Sequence, residues 1–194
     1  MQNKITKDKF TKIEKKYGHY ASWAIWSEEG EKPKSNMDTK VFKNLSIFGK
    51  LHTNFILVAL NISRPIETPF GNFHPNYSEA TDYKTRFAIK NTPLWGSYMT
   101  DIIKDFEELS SGNMMSYLKE NQDFEKENIQ SFLDELYFIE TVNPTLIAIG
   151  SDSYNIIKRN LSNKFKVIKI PHYANYTSKE NYRDQILAAL KEEN

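Results

Sequence analysis

The chain of 194 residues contains no cysteine. That absence excludes a disulfide scaffold, a cysteine-ligated zinc site, an iron–sulfur cluster and a cysteine nucleophile together. Neither sign of charge dominates: 26 Lys and Arg stand against 25 Asp and Glu, a formal net charge of +1. A polycationic or acidic tail is therefore not the organising feature. No apolar run approaches the roughly 20 residues that a membrane-spanning helix needs. The opening MQNKITKDKF also lacks the apolar stretch of a signal peptide. The expectation is a soluble, cytoplasmic protein with no membrane partner. The four histidines (His19, His52, His74, His172) show no metal-ligand spacing, so neither a metal nor a cofactor is expected. Phosphate loops of the GxxxxGK[ST] and GxGxxG types are missing, as is a GxSxG serine elbow.

What is present is apolar and aromatic mass. Hydrophobic residues make up 39% and aromatic residues 13%, which excludes global disorder. The length suits one domain across residues 1–194. Charge is unevenly spread. Ser153 to Pro171 holds five basic residues (Lys158, Arg159, Lys164, Lys166, Lys169) and no acid, whereas Asp101 to Glu140 holds eleven acids against three lysines. A face near the C-terminal strand can thus meet an anion.

Three short, continuous apolar runs predict strands covered on both faces, as parallel sheets require. They are Phe55 to Leu60, Thr145 to Ile149, and Phe165 to Ile170. A weaker run starts at Ser97 and heads for Ile103. Helical spacing of Ile129, Phe132, Leu133 and Leu136 predicts a helix from about Lys126 to Ile139. Ser151 or Asp152 can cap a helix carrying Ile156, Ile157 and Leu161, and Ser178 can cap one over Lys179 to Lys191. Phe10, Ile13 and Tyr17 predict an entry helix ended by Gly18. Ser110 to Asn113 is the expected flexible insertion, and Trp23 and Trp26 are expected in the core. Alternating strands and helices mean α/β with a parallel sheet.

In such sheets ligands bind beyond the carboxyl ends of the strands. The loop from Asn61 to Pro75 offers an amide, Arg64, and two rings, Phe70 and Phe73, around Gly71. Each ring is either a stacking platform or an anchor for the loop. Asp101 closes the weak strand and is either a ligand contact or an N-cap. His172 follows the last strand, in Pro171-His172-Tyr173-Ala174-Asn175-Tyr176, where it can stabilise an anion or move a proton.

In this order the loops resemble the uracil-DNA glycosylase superfamily, over roughly Phe55 to Leu190. Ala59-Leu60-Asn61-Ile62-Ser63 is similar to that family's Gly-(Ile or Met)-Asn-Pro-Gly, keeping the asparagine but not the glycines or the proline. Pro69-Phe70-Gly71-Asn72-Phe73 resembles the segment that lays an aromatic ring on the base. Tyr98-Met99-Thr100-Asp101-Ile102-Ile103-Lys104 is similar to Tyr-Ile-Thr-Asn-Val-Val-Lys, with Asp101 where the family reads the base with Asn. Asn143 to Ser151 is similar to the strand and Gly-Ser turn before the last motif, and His172-Tyr173-Ala174 stands where that motif reads His-Pro-Ser.

The resemblance implies a three-layer α/β/α sandwich with a four-stranded, mainly parallel sheet. It implies a DNA-repair hydrolase that flips a damaged or deaminated base and cleaves its N-glycosidic bond. Asn61 would position water and His172 would donate to the departing base. Phe70 or Phe73 would stack on the base and Asp101 would read it. Tyr173, Lys166 and Lys169 would meet DNA, single-stranded or lesion-containing. An ionised aspartate only accepts hydrogen bonds. Hence Asp101 is protonated, or the base carries an amino group, or the site is inactive. The alternative is a catalytically inactive module of this fold that binds nucleic acid or a protein partner. Either way, Asn61, Asp101 and His172 are expected to converge in one cleft.

Overall fold

The computed structural model describes residues 3–26, 39–74, 80–104 and 106–192. Its elements in chain order are α1 (Lys7–Tyr17), β1 (Ser22–Trp23), two short 3-10 turns, β2 (His52–Asn61), α2 (Tyr83–Ile89), β3 (Ser97–Ile103), α3 (Ser111–Glu120), α4 (Gln122–Phe138), β4 (Thr145–Ile149), α5 (Ser151–Leu161), β5 (Val167–Ile170) and α6 (Lys179–Glu192). One sheet runs in the order β1-β3-β2-β4-β5. Strands β3, β2, β4 and β5 are mutually parallel, and β1 pairs antiparallel with β3 through Ser22↔Met99 and Trp23↔Tyr98. The sheet is therefore five-stranded and mixed, which corrects the expectation of four mainly parallel strands. A two-residue strand is too short to leave any hydrophobic pattern.

Both faces of the sheet are covered. Ile56, Val58, Tyr98, Ile102, Leu146 and Ala148 pack with residues of α1, α4 and α5. Leu57, Ala59, Met99, Ile147, Ile149, Ile168 and Ile170 pack with residues of α2 and α6. Two apolar layers explain why the strand sequences are continuous rather than alternating. Trp23 and Trp26 lie in these cores, 0% and 4% exposed, as expected.

Local expectations meet two corrections. Ser110 to Asn113 is no insertion: the Asn113 N–H donates to Ser110 Oγ at 3.3 Å and starts α3. The cap of α5 is Gly150, at φ +88° with no side-chain cap bond, rather than Ser151 or Asp152. Gly18 does end α1, yet at φ −60°. Its reason is close approach, since a Cβ there would lie 2.5 Å from the Glu14 carbonyl oxygen. Ser178 caps α6 as expected, accepting from the Asn181 N–H at 3.1 Å.

One charged pair is buried between sheet and helix. Lys104 Nζ lies 2.6 Å from Glu135 Oε2, with the side chains 3% and 0% exposed. Tyr98 donates to Glu135 Oε1 at 2.7 Å and Thr100 to Oε2 at 3.3 Å. Lys104 also donates to the Asp101 carbonyl at 2.7 Å. Satisfying both ions in this way is what makes their burial tolerable.

Candidate functional site at the carboxyl rim

Because β2 to β5 are parallel, the chain leaves Asn61, Ile103, Ile149 and Ile170 at one rim of the sheet. From β2 it returns to β3 by way of α2, on the face shared with α6; from β4 it returns to β5 through α5, on the opposite face. The two connections diverge between β2 and β4, which is where an open α/β sheet leaves a crevice. Ser153 of α5 ties this junction by donating to the Val58 carbonyl at 2.8 Å.

His172 stands at this rim, partly buried, on the wall of a cavity of about 480 Å³ that also takes in Gly150, Ser151, Lys169 and Asn175. Gly150 sits under the imidazole: a Cβ there would meet His172 Cβ and Cδ2 at 3.4 Å. The Ala174 N–H donates to His172 Nδ1 at 3.1 Å. A backbone N–H can only donate, so Nδ1 is an acceptor and the ring proton of the neutral form resides on Nε2. Burial lowers the His172 pKa below 6.5, opposed by the Asp152 carboxylate. The result is a neutral imidazole with a fixed tautomer and a donor nitrogen.

Tyr173 packs beside it, the ring centroids 4.3 Å apart and the planes tilted by 34°. Its hydroxyl hydrogen-bonds the Asp82 carboxyl group, and the Asp101 carboxyl group acts on it through charge. Burial, followed by those two charges, holds the phenol well above its ordinary range. Asp101 is 1% exposed and accepts from Asn72 Nδ2 at 2.7 Å on its Oδ2. Burial pushes its pKa up to about 7, against the pull of Asn72 and Lys104. Asp82, at the start of α2, is raised to about 6, again chiefly by burial, with its own amide and Tyr173 opposing. Tyr182 of α6 holds the start of this loop by donating to the Pro171 carbonyl at 3.0 Å. Two enclosed acids around one phenol form the kind of titratable cluster that marks functional sites.

The other expected residues fall differently. Asn61 ends β2, but its Nδ2 is spent on the carbonyls of Ile62, Phe106 and Glu108, at 2.8, 3.3 and 2.8 Å. Its Oδ1 makes no hydrogen bond among the described residues. Asp101 lies inside β3, which continues to Ile103, so the N-cap alternative is ruled out. Phe70 is 0% exposed and packed against Phe10, Trp23 and Phe42. Its backbone is held from both sides, its N–H on the Gly18 carbonyl and its carbonyl on Ser22. Phe73 is 5% exposed, in the core beneath α2 and α6. Both rings are loop anchors, at φ +60° and +64°; neither presents a face to a base. Lys169 is exposed on the cavity wall, its ammonium 5.6 Å from the Tyr154 ring centroid. Lys166 precedes β5 and belongs to the opposite, amino end of that strand. Pro75, the end of the first loop, lies outside the described residues.

His172 and Tyr173 are therefore in contact and Asp101 acts on Tyr173 through charge, while Asn61 makes its bonds with the loop after β3. Sequence reasoning missed Asp82, Tyr182 and the amide of Asn72. Asn72 carried a signal, standing between two aromatic residues in the long loop; Asp82 carried none. Among the described residues no group of three or more His, Asp or Glu is arranged to hold a metal ion, and no helix is long and apolar enough to cross a membrane. No protein-family model, curated protein or solved structure matches the chain.

Proposed function

We propose that the carboxyl rim is a nucleobase site and that the protein is a divergent DNA-base glycosylase of the uracil-DNA glycosylase type. The observation that carries this reading is the neutral His172, with Nδ1 occupied by the Ala174 N–H and Nε2–H left to donate at a cavity of about 480 Å³. Four parallel strands delivering their loops to the same rim also support it.

As the bond between sugar and base breaks, negative charge grows on a base oxygen. His172 Nε2–H donates to that oxygen, a role worth several kcal/mol in comparable sites. Asn61, tethered through its nitrogen, keeps Oδ1 to accept from the attacking water. The water oxygen bonds to the sugar carbon, and its proton balances the charge of the departing base. Tyr173, rather than Phe70 or Phe73, brings a ring to this rim. Asp101 is buried and acts on the base by setting the charge beside Tyr173.

Specific observations favour a second reading, a non-catalytic nucleic-acid-binding module. The Asn61 nitrogen is saturated by three carbonyls, and both candidate stacking rings are in the core. One panel separates the two. Single- and double-stranded oligonucleotides carrying uracil, hypoxanthine or xanthine are incubated with the protein, and abasic sites are read by alkaline cleavage. Release of a base by the wild type, lost in His172→Ala, supports the glycosylase. Binding without release supports the module, and neither binding nor release overturns both.

A further inference from the structure

Two lysines are buried among the described residues, and they are compensated differently. Lys104, 4% exposed, has the Glu135 carboxylate at 2.6 Å. Lys84, in the first turn of α2, is 7% exposed, and its ammonium donates to the Asn175 carbonyl oxygen at 3.0 Å. No carboxylate pairs with it among the described residues. Burial lowers its pKa and no neighbouring charge opposes that shift. An ammonium carries three donors, and taking it out of water without a counter-charge is costly.

The position of this cation gives the cost a purpose. Asn175, which it grips, lines the cavity that contains His172. Among the residues that line it Lys169 is the one cation and Glu192 the one acid, and Lys84 reaches the lining through the Asn175 carbonyl. The chain from Pro171 to Asn175 is thus held at one end by Tyr182 and at the other by Lys84.

We propose that Lys84 is the cationic contact of a phosphate subsite at the edge of the His172 cavity. Resting on the reading above, its occupant is a phosphodiester of the bound strand. The incoming phosphate supplies the counter-charge that Lys84 lacks among the described residues and takes up the ammonium donors that Asn175 leaves open. Lys84, and not Lys166, is then the anchor beside the reacting nucleotide.

The test uses the full chain, labelled with nitrogen-15 and titrated with inorganic phosphate at constant ionic strength against a chloride control. The expected result is a saturable shift of the Lys84, Ala174 and Asn175 amides. Lys84→Gln abolishes the shift and Lys84→Arg, which keeps the charge, retains it. In a second arm, anisotropy of a single-stranded oligonucleotide is followed across salt concentrations. The slope of log affinity against log salt falls by about 0.7 in Lys84→Gln, the value for one lost phosphate contact. Phosphate shifts no larger than the chloride control, or shifts that persist in Lys84→Gln, overturn the subsite. If phosphate binds at Lys84 but no oligonucleotide loses a base, the subsite stands and the glycosylase reading falls. If a base is released while Lys84→Gln keeps both its spectrum and its salt slope, the glycosylase reading stands and the subsite falls.

Discussion

Replacing Asp101 by Asn isolates the cost of ionising a carboxyl group inside β3. The substitution keeps the shape, and its amide oxygen can still accept from Asn72 Nδ2. In the fold the Asp101 pKa is about 7, against an ordinary 3.8. At about 1.36 kcal/mol for each tenfold change in acid constant, that gap corresponds to about 4 kcal/mol. Below pH 3.8 the group is protonated in both folded and unfolded chains and contributes nothing. Between 3.8 and 7 the unfolded chain releases its proton and the folded chain keeps it, so stability falls as pH rises. Above 7 both are ionised and the loss is complete. Relative to wild type, Asp101→Asn therefore gains about 4 kcal/mol between pH 3 and pH 8. Urea denaturation of both proteins across that range measures the difference, in which the other titrating groups cancel. A difference that stays constant with pH, or that shrinks as pH rises, refutes the assignment of a buried, reluctantly ionised Asp101. Asp82→Asn is the companion case: its window closes near pH 6 rather than 7.

Glu135→Ala leaves the Lys104 ammonium enclosed without its carboxylate and is expected to cost about 3–5 kcal/mol in chemical denaturation. Phe70→Ala removes a ring packed among Phe10, Trp23 and Phe42. It should destabilise the fold by about 3–5 kcal/mol, whereas a ring that serves only to stack on a base would change stability little. Gly150→Ala puts a Cβ at φ +88° and against the His172 ring. It should lose about 1–2 kcal/mol of stability and shift the His172 ring signals in NMR spectra. His172 itself should titrate below 6.5 in nitrogen-15 NMR, with the proton of its neutral form on Nε2. The sign follows from burial: the cation is disfavoured in the fold, so its contribution is lost as pH falls through 6.5 towards the lowered value.

Much of the framework was legible along the chain. Thr145 to Ile149 forms a strand with the expected bounds, and the runs at Phe55 and Ser97 lie inside β2 and β3. The reason is local: a strand buried on both faces is apolar at most of its positions. The helix α2 was not legible, because its buried residues include Lys84, Thr85 and Arg86, which carry no apolar periodicity. Nor was β1, whose two residues become a strand only by pairing with β3.

The site divides along the same line. The sequence by itself determined that His172 follows the last strand, that an acid occupies position 101, and that a long loop leaves Asn61, because these depend on order along the chain. Only the tertiary structure decided that Asp82 joins Asp101 around Tyr173, that Ala174 sets the tautomer of His172, and that Phe70 and Phe73 turn inward. Those outcomes depend on which groups are withdrawn from water together, and burial of that kind is a property of packed elements rather than of any one segment.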